Sequence, residues 1–203
     1  MTATTYHHGD LKNALIKAGV EILASEGLGG LSLRKVAKQA GVSHAAPYSH
    51  FKDKQALIAA ISTESFKELY IQIESVYTAH KENPENLLVE TSWAYLQFAL
   101  TKPDRFKLMF SSVLEKEKEY PDFVEVSHQN FQQVVRVVKL CQGASILKDG
   151  EANLTAVSVW GAIHGLAMLV LEGQISTAVL GQYELRKILL HSLNQITLTP
   201  LGE

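Results

Sequence analysis

The chain has 203 residues, 46% hydrophobic and 20% charged, with a formal net charge of −2 and a single cysteine, Cys141. That length allows one or two domains with full cores, and the charge content argues against wholesale disorder. One cysteine excludes an internal disulfide and a multi-thiolate zinc site, and it suits a reducing, cytoplasmic setting.

Residues Met1 to Asp10 lack the cationic start and apolar run of a secretion signal. The longest near-apolar stretch, Ala156 to Leu171, contains Ser158 and His164 and is short for a bilayer span, so no membrane association is expected. Charge is unevenly spread. Residues 1–55 carry seven Lys and Arg against four acids and hold four of the eight histidines, whereas the remainder carries twelve bases against seventeen acids. A basic head on an acidic body points to a polyanion partner for the head.

Read in chain order, the periodicity is helical throughout and strand signals are almost absent, so the expected fold is all-α with nine helices. Leu11, Leu15, Ala18 and Ile22 form a stripe that stops at Gly27. Ser32 caps a short helix carrying Leu33, Val36 and Ala37, and Ser43 caps another that runs to about His50. Asp53 opens a long helix striped by Leu57, Ile61, Leu69, Ile73 and Val76, broken at Asn83-Pro84. A helix through Trp93 and Leu100 follows, then a short one from Lys102-Pro103. Tyr120-Pro121 precedes a helix striped by Val124, His128, Phe131, Val135 and Val138. Asp149-Gly150 opens a helix to about Glu172, and the last runs from about Gln182 to Ile196. The domain division falls at the long helix: residues 1–55 as a three-helix head, and 56–203 as a bundle of about six helices.

The two short helices, separated by Ala40-Gly41-Val42, have the pattern of a helix-turn-helix. Ala37 lets the helices cross closely, Gly41 supplies a positive φ without a Cβ penalty, and Val42 plugs the corner. The second helix then offers its first residues to a DNA major groove, with Ser32, Ser43 and the helix N-termini holding phosphates. Pro47 removes one backbone donor, which costs least in a first turn, so that helix is expected to survive.

The run from Leu31 to Lys54, including Tyr48-Ser49-His50-Phe51-Lys52-Asp53-Lys54, resembles the DNA-binding domain of the tetracycline-repressor (TetR) family of prokaryotic transcription regulators. Trp160-Gly161-Ala162-Ile163-His164-Gly165 resembles the Trp-His-Gly signature of one C-terminal subgroup. The resemblance implies contacts to phosphate and sometimes base by Ser32 and Arg34, and phosphate contacts by Tyr48, His50 and Lys54. It places Ser43, His44, Ala45, Ala46 and Ser49 on the groove-facing helix above a core plug at Phe51. It implies binding to double-stranded DNA, commonly repression, and release from a palindromic operator by a small-molecule effector.

The Glu151–Glu172 helix is apolar nearly all round. One face reads Leu154, Val157, Gly161, His164, Met168 and Leu171, and another Ala156, Val159, Trp160, Ile163, Ala167 and Val170. A homodimer is expected through Trp160, Ile163, Ala167 and Val170 with Leu185, Ile188 and Leu189 of the last helix. Effector-binding candidates are Trp93, Phe98, Phe106, Met109, Phe110, His128 and Phe131, apolar and aromatic groups of the kind that line pockets in bundles. The same residues also read as plain core, and His128 and His164 as core histidines.

Nothing points to catalysis or a cofactor. There is no Gly-x-Ser-x-Gly elbow, Gly27-Leu28-Gly29-Gly30 lacks the lysine of a phosphate loop, and no His-Glu-x-x-His occurs. His7-His8 reads at most as a weak metal tract, and Glu115 to Glu119 as a solvated connection. The alternative to a regulator is an architectural DNA-binding protein that needs no ligand.

Overall fold

The computed structural model describes residues 8–114 and 117–202. His7 of the His7-His8 tract and Glu115-Lys116 of the charged connection lie outside them. Among the described residues there are nine α-helices, two short 3-10 turns, no strands, and one isolated bridge between Leu147 and Thr197. The helices are α1 (His8–Gly30), α2 (Leu33–Gln39), α3 (Lys54–His80), α4 (Pro84–Thr101), α5 (Pro103–Met109), α6 (Pro121–Gly143), α7 (Ala152–Leu171), α8 (Thr177–Gln182) and α9 (Leu185–Asn194).

Side-chain caps set several of the helix starts. The Ser32 hydroxyl accepts from Lys35 N at 3.2 Å, Asp53 Oδ1 from Ala56 N at 2.8 Å, and Asn83 Oδ1 from Asn86 N at 3.2 Å ahead of Pro84. Each satisfies a backbone donor that the first helical turn leaves open. Gly27, at φ 67°, kinks α1 where its stripe ends.

The chain forms two compact units, residues 1–66 with 104–126, and residues 67–103 with 127–203. In the first, Leu15, Ala18 and Ile22 of α1, Val36 and Ala37 of α2, and Leu57 and Ile61 of α3 are buried. Phe66 meets Phe110 and Phe123 edge-on at 5.4 and 5.7 Å, and Phe106 meets Phe110 at 5.0 Å. In the second, α4, α7 and α9 pack together around Leu88, Leu96, Phe98, Ala156, Val159, Ile163, Ala167, Leu189 and Leu193.

Two differences from the expected helices stand out. The segment from Ser43 to His50 is not an α-helix but a 3-10 turn over Ala46–Ser49, and α8 takes its place in the count of nine. Pro47 is the cause. In an α-helix capped at Ser43 its ring would press on the Ser43 carbonyl four residues back, and the hydrogen bond to that carbonyl would be missing. Ala46 N reaches the carbonyl instead, at 3.0 Å, and tightens the turn. Ala45 rather than Ser43 is the capping position, with no side-chain cap.

Candidate nucleic-acid interface

The turn after α2 closes through Gly41, at φ 69°, a conformation that costs a residue with a Cβ about 1–2 kcal/mol. Gly41 N bonds Lys38 O at 3.2 Å and Val42 N bonds Ala37 O at 3.0 Å, so the helix ends in a closed loop. Val42 is only half-buried; Pro47 and Phe51 are the buried plugs beneath the 3-10 turn. Tyr48 N bonds Ala45 O at 3.2 Å, and both His50 N and Phe51 N bond Pro47 O, at 3.0 and 2.9 Å.

This scaffold leaves Ser43, His44, Ala45, Tyr48 and Ser49 exposed in one short stretch, with Arg34 and Lys54 also exposed. Ser32, Ala46 and His50 are half-buried, His50 with its ring tilted against Phe51 at 6.3 Å. All ten sequence-predicted DNA contacts therefore fall between residues 32 and 54 of the first unit.

Their electrostatic setting is mixed. Lys35 pairs with Glu26, and Lys52 with Glu119 at 2.8 Å, its ammonium 5.5 Å from the Tyr120 ring centre. The hydrogen bond to Glu119, and then that carboxylate's charge, hold Lys52 above the ordinary lysine range. Lys54 Nζ donates to Leu28 O at 3.0 Å, at the end of α1. Arg34 and Lys38 are exposed on α2 and meet no acid at ion-pair distance among the described residues. Lys38 and the Lys52–Glu119 pair escape a motif-based reading. Lys38 was visible only as one more base in a basic head, and Glu119 lies 67 residues from its partner.

Residues 88–193 match the family described as Tetracyclin repressor-like, C-terminal domain, and residues 15–61 match Bacterial regulatory proteins, tetR family. The chain belongs to the TetR family. Among relatives of this TetR-family regulator, the Uncharacterized HTH-type transcriptional regulator YobS of Bacillus subtilis is 25% identical over 162 residues, 80% of either chain. Tetracycline repressor protein class A of Escherichia coli is 38% identical over 56 residues, 28% of this chain and 26% of that one. A solved protein of unknown function from Rhodococcus sp. RHA1 superposes with a TM-score of 0.79 at 29% identity, covering 95% of this chain and 96% of the other. The TetR family is one of DNA-binding transcriptional regulators, and its helix-turn-helix region matches this chain over residues 15–61.

The seven effector candidates of this TetR-family chain divide between its units. Phe106, Met109 and Phe110 lie in the first, Phe106 and Phe110 within the aromatic cluster around Phe66. Trp93, Phe98, His128 and Phe131 lie in the second. Trp93 sits under the Arg186 guanidinium at 5.5 Å, itself paired with Glu90 at 2.5 Å. Phe98 is buried beneath Lys102, whose ammonium is 5.1 Å from its ring centre. His128 is exposed rather than on the buried side of α6. That side includes Phe123, Val126, Gln133 and Val137. His128 lies about 200° around the helix from Val126, on a side that is exposed at this level, although Val135, seven residues on and on the same side, is buried.

A polar network in the second unit has no local signature in the sequence. The Trp160 indole N–H donates to the Tyr95 hydroxyl at 3.0 Å, and that hydroxyl bonds His164 Nδ1 at 2.8 Å. Trp160 and His164, one turn apart on α7, thus converge on a single oxygen of α4, with the Phe131 ring edge-on to Trp160 at 6.2 Å. Burial lowers the His164 pKa, and burial raises that of Tyr95 against the opposing Trp160 bond. Gln133 is also buried. Its amide donates to Tyr70 O at 3.1 Å and to Glu74 at 3.0 Å.

The seven dimer candidates differ in how far one copy covers them. Ile163, Ala167 and Leu189 are buried within one copy, in the packing of α7 and α9, while Trp160, Val170, Leu185 and Ile188 are half-buried. The outer face of α7 is the other one, where Leu154, Val157 and Leu169 are exposed. On that face, side chains added at Gly161 and Gly165 would meet nothing within 4 Å. By length and composition α7 is apolar enough to cross a membrane, but its inner face is occupied by α4 and α9.

Proposed function

We propose that this protein is a cytoplasmic homodimeric repressor. Two copies present Ser43–His50 to successive major grooves of a palindromic operator, and a small molecule bound by the helices of the second unit releases them. The observation that supports this best is the exposed stretch Ser43, His44, Ala45, Tyr48 and Ser49, set on the Gly41 turn and the buried Pro47 and Phe51, near Arg34 and Lys38, which have no acidic partner among the described residues. Such flanking cations set register on phosphates while the turn faces base edges.

Dimerisation has a geometric purpose, because two recognition elements about 34–36 Å apart read two half-sites one helical turn apart. The outer face of α7 supports the pairing: it is apolar, exposed, and has two glycines where a partner backbone can approach. Repression agrees with the name of the tetracycline repressor relative. An effector acts by favouring a conformation whose two heads are spaced wrongly for DNA, and only through its differential affinity for the two states.

The test is selection of bound duplexes from a random pool by the purified protein, followed by competition at fixed salt. A specific regulator favours its selected site over random DNA by roughly a thousandfold or more. Equal competition by random duplex overturns the reading and leaves a ligand-independent architectural DNA-binding protein.

A further inference from the structure

We infer that this protein reads its operator chiefly through the C5-methyl group of thymine against the Ala45 methyl, and not through paired hydrogen bonds to base edges. The inference rests on the proposed docking of residues 43–50 in the major groove and names what they recognise there.

The argument starts with the side chains that are missing. Bidentate readout of guanine takes Arg or Lys, of adenine Asn or Gln, and cytosine's amino group is met by Asp or Glu. None of these six types occurs from Ser43 to His50. Of the polar groups that remain, the Ser49 hydroxyl donates back to Ala46 O at 2.8 Å and is used within the turn. His50 is half-buried against Phe51. That leaves Ser43, His44, Tyr48 and the acceptor side of the Ser49 hydroxyl as exposed hydrogen-bonding groups, none of which presents the paired fork that Arg, Asn or Gln offers to one base.

The apolar side of the balance is better placed. Ala45 is exposed and caps the 3-10 turn, so its methyl stands where the turn begins. The turn is also tightly made: Pro47 points into the core, Ala46 is half-buried, and the Ser43, Ala45 and Pro47 carbonyls all accept backbone bonds within it. A rigid methyl at an exposed edge discriminates among bases in one way. Thymine alone carries a methyl group in the major groove, and contact between the two removes apolar surface from water.

The experiment uses the full-length protein and the duplex recovered by selection. Each thymidine of the selected site is replaced in turn by deoxyuridine, which keeps the base pair and the O4 acceptor and deletes only the methyl. Losing one buried methyl contact weakens binding about fourfold, and losing the equivalent contact in both half-sites about fifteenfold. The expected result is that penalty at one symmetry-related thymine pair, and its disappearance in Ala45→Gly, where thymidine and deoxyuridine sites bind alike. Ala45 is exposed, so the variant keeps the core intact, and circular dichroism verifies this. A selected site indifferent to uracil at every position overturns this inference alone. A penalty equally large in Ala45→Gly overturns the assignment to Ala45. If no sequence is enriched at all, both this inference and the regulator reading fail.

Discussion

The outer face of α7 gives the sharpest quantitative test of the dimer. In a single copy Leu154 is 69% exposed and Val157 54%. Fully burying such a side chain is worth about 2 kcal/mol. Covering the exposed shares of both therefore contributes about 2.5 kcal/mol per copy, and about 5 kcal/mol across a two-fold interface in which each residue appears twice. Replacing both with serine (Leu154→Ser, Val157→Ser) should weaken the dimer roughly a few thousandfold. Because both side chains are mostly exposed in a single copy, the helix content and melting temperature of the dissociated chain should change little. Sedimentation equilibrium over a dilution series measures the dissociation constant, and circular dichroism monitors the fold. Ile163→Ser gives the contrast. It buries a hydroxyl in the packing of α7 and costs about 3 kcal/mol, which lowers the melting temperature by roughly 6–12 °C. A dissociation constant for the double variant equal to that of the native chain would refute the assignment of this face.

The polar network under α7 supplies two further predictions. Tyr95→Phe removes the hydroxyl that accepts from Trp160 and bonds His164. At about 1 kcal/mol for each bond, and more where the abandoned group stays buried, the melting temperature should fall by roughly 4–10 °C; an unchanged value would mean that the bonds add no stability. His164 should make stability depend on pH. Burial lowers its pKa, so the unfolded chain takes up this proton more readily than the folded one. The stability it protects is complete above the unfolded value of about 6.5 and is lost progressively as pH falls below that and through the lower folded value. Melting temperatures measured from pH 8 down to 5.5 should therefore drop less for His164→Gln than for the native chain, and parallel curves would assign the pH dependence to other groups.

What the sequence makes legible is local. Ser32 and Asp53 announce helix starts because a side-chain oxygen must meet the open backbone donors within three residues, and both do so in the structure; Asn83, legible as a break, also caps the helix that follows. Gly41 is legible for the same reason, since a tight turn with positive φ excludes most other residues. The helix expected after Ser43 fails over a single position: proline is harmless at the first helical residue, whereas Pro47 falls where its ring would meet the Ser43 carbonyl. For α7 the period carries no phase information, because a helix apolar on every side does not say which face its own chain will cover. Contacts with α4 and α9 decide that, and they come from residues far away in sequence. His128 differs for another reason: Val135 and Val138 of its stripe are buried, but that side of α6 is covered only further along the helix. Nothing local could have joined Tyr95 to Trp160 and His164, 65 and 69 residues onward. Short α8 leaves no trace in the pattern because it buries none of its residues.

The membership of the first unit bears on how this regulator can be dissected. Residues 104–126 belong to it as much as the N-terminal helices do. A fragment cut after residue 66 would expose Phe66 where it now meets Phe110 and Phe123. It would also take the Val113 carbonyl from Gln55 and the Glu119 carboxylate from Lys52. The DNA-facing part is thus stitched from two stretches of chain, and grafting it onto another sensor means transplanting both.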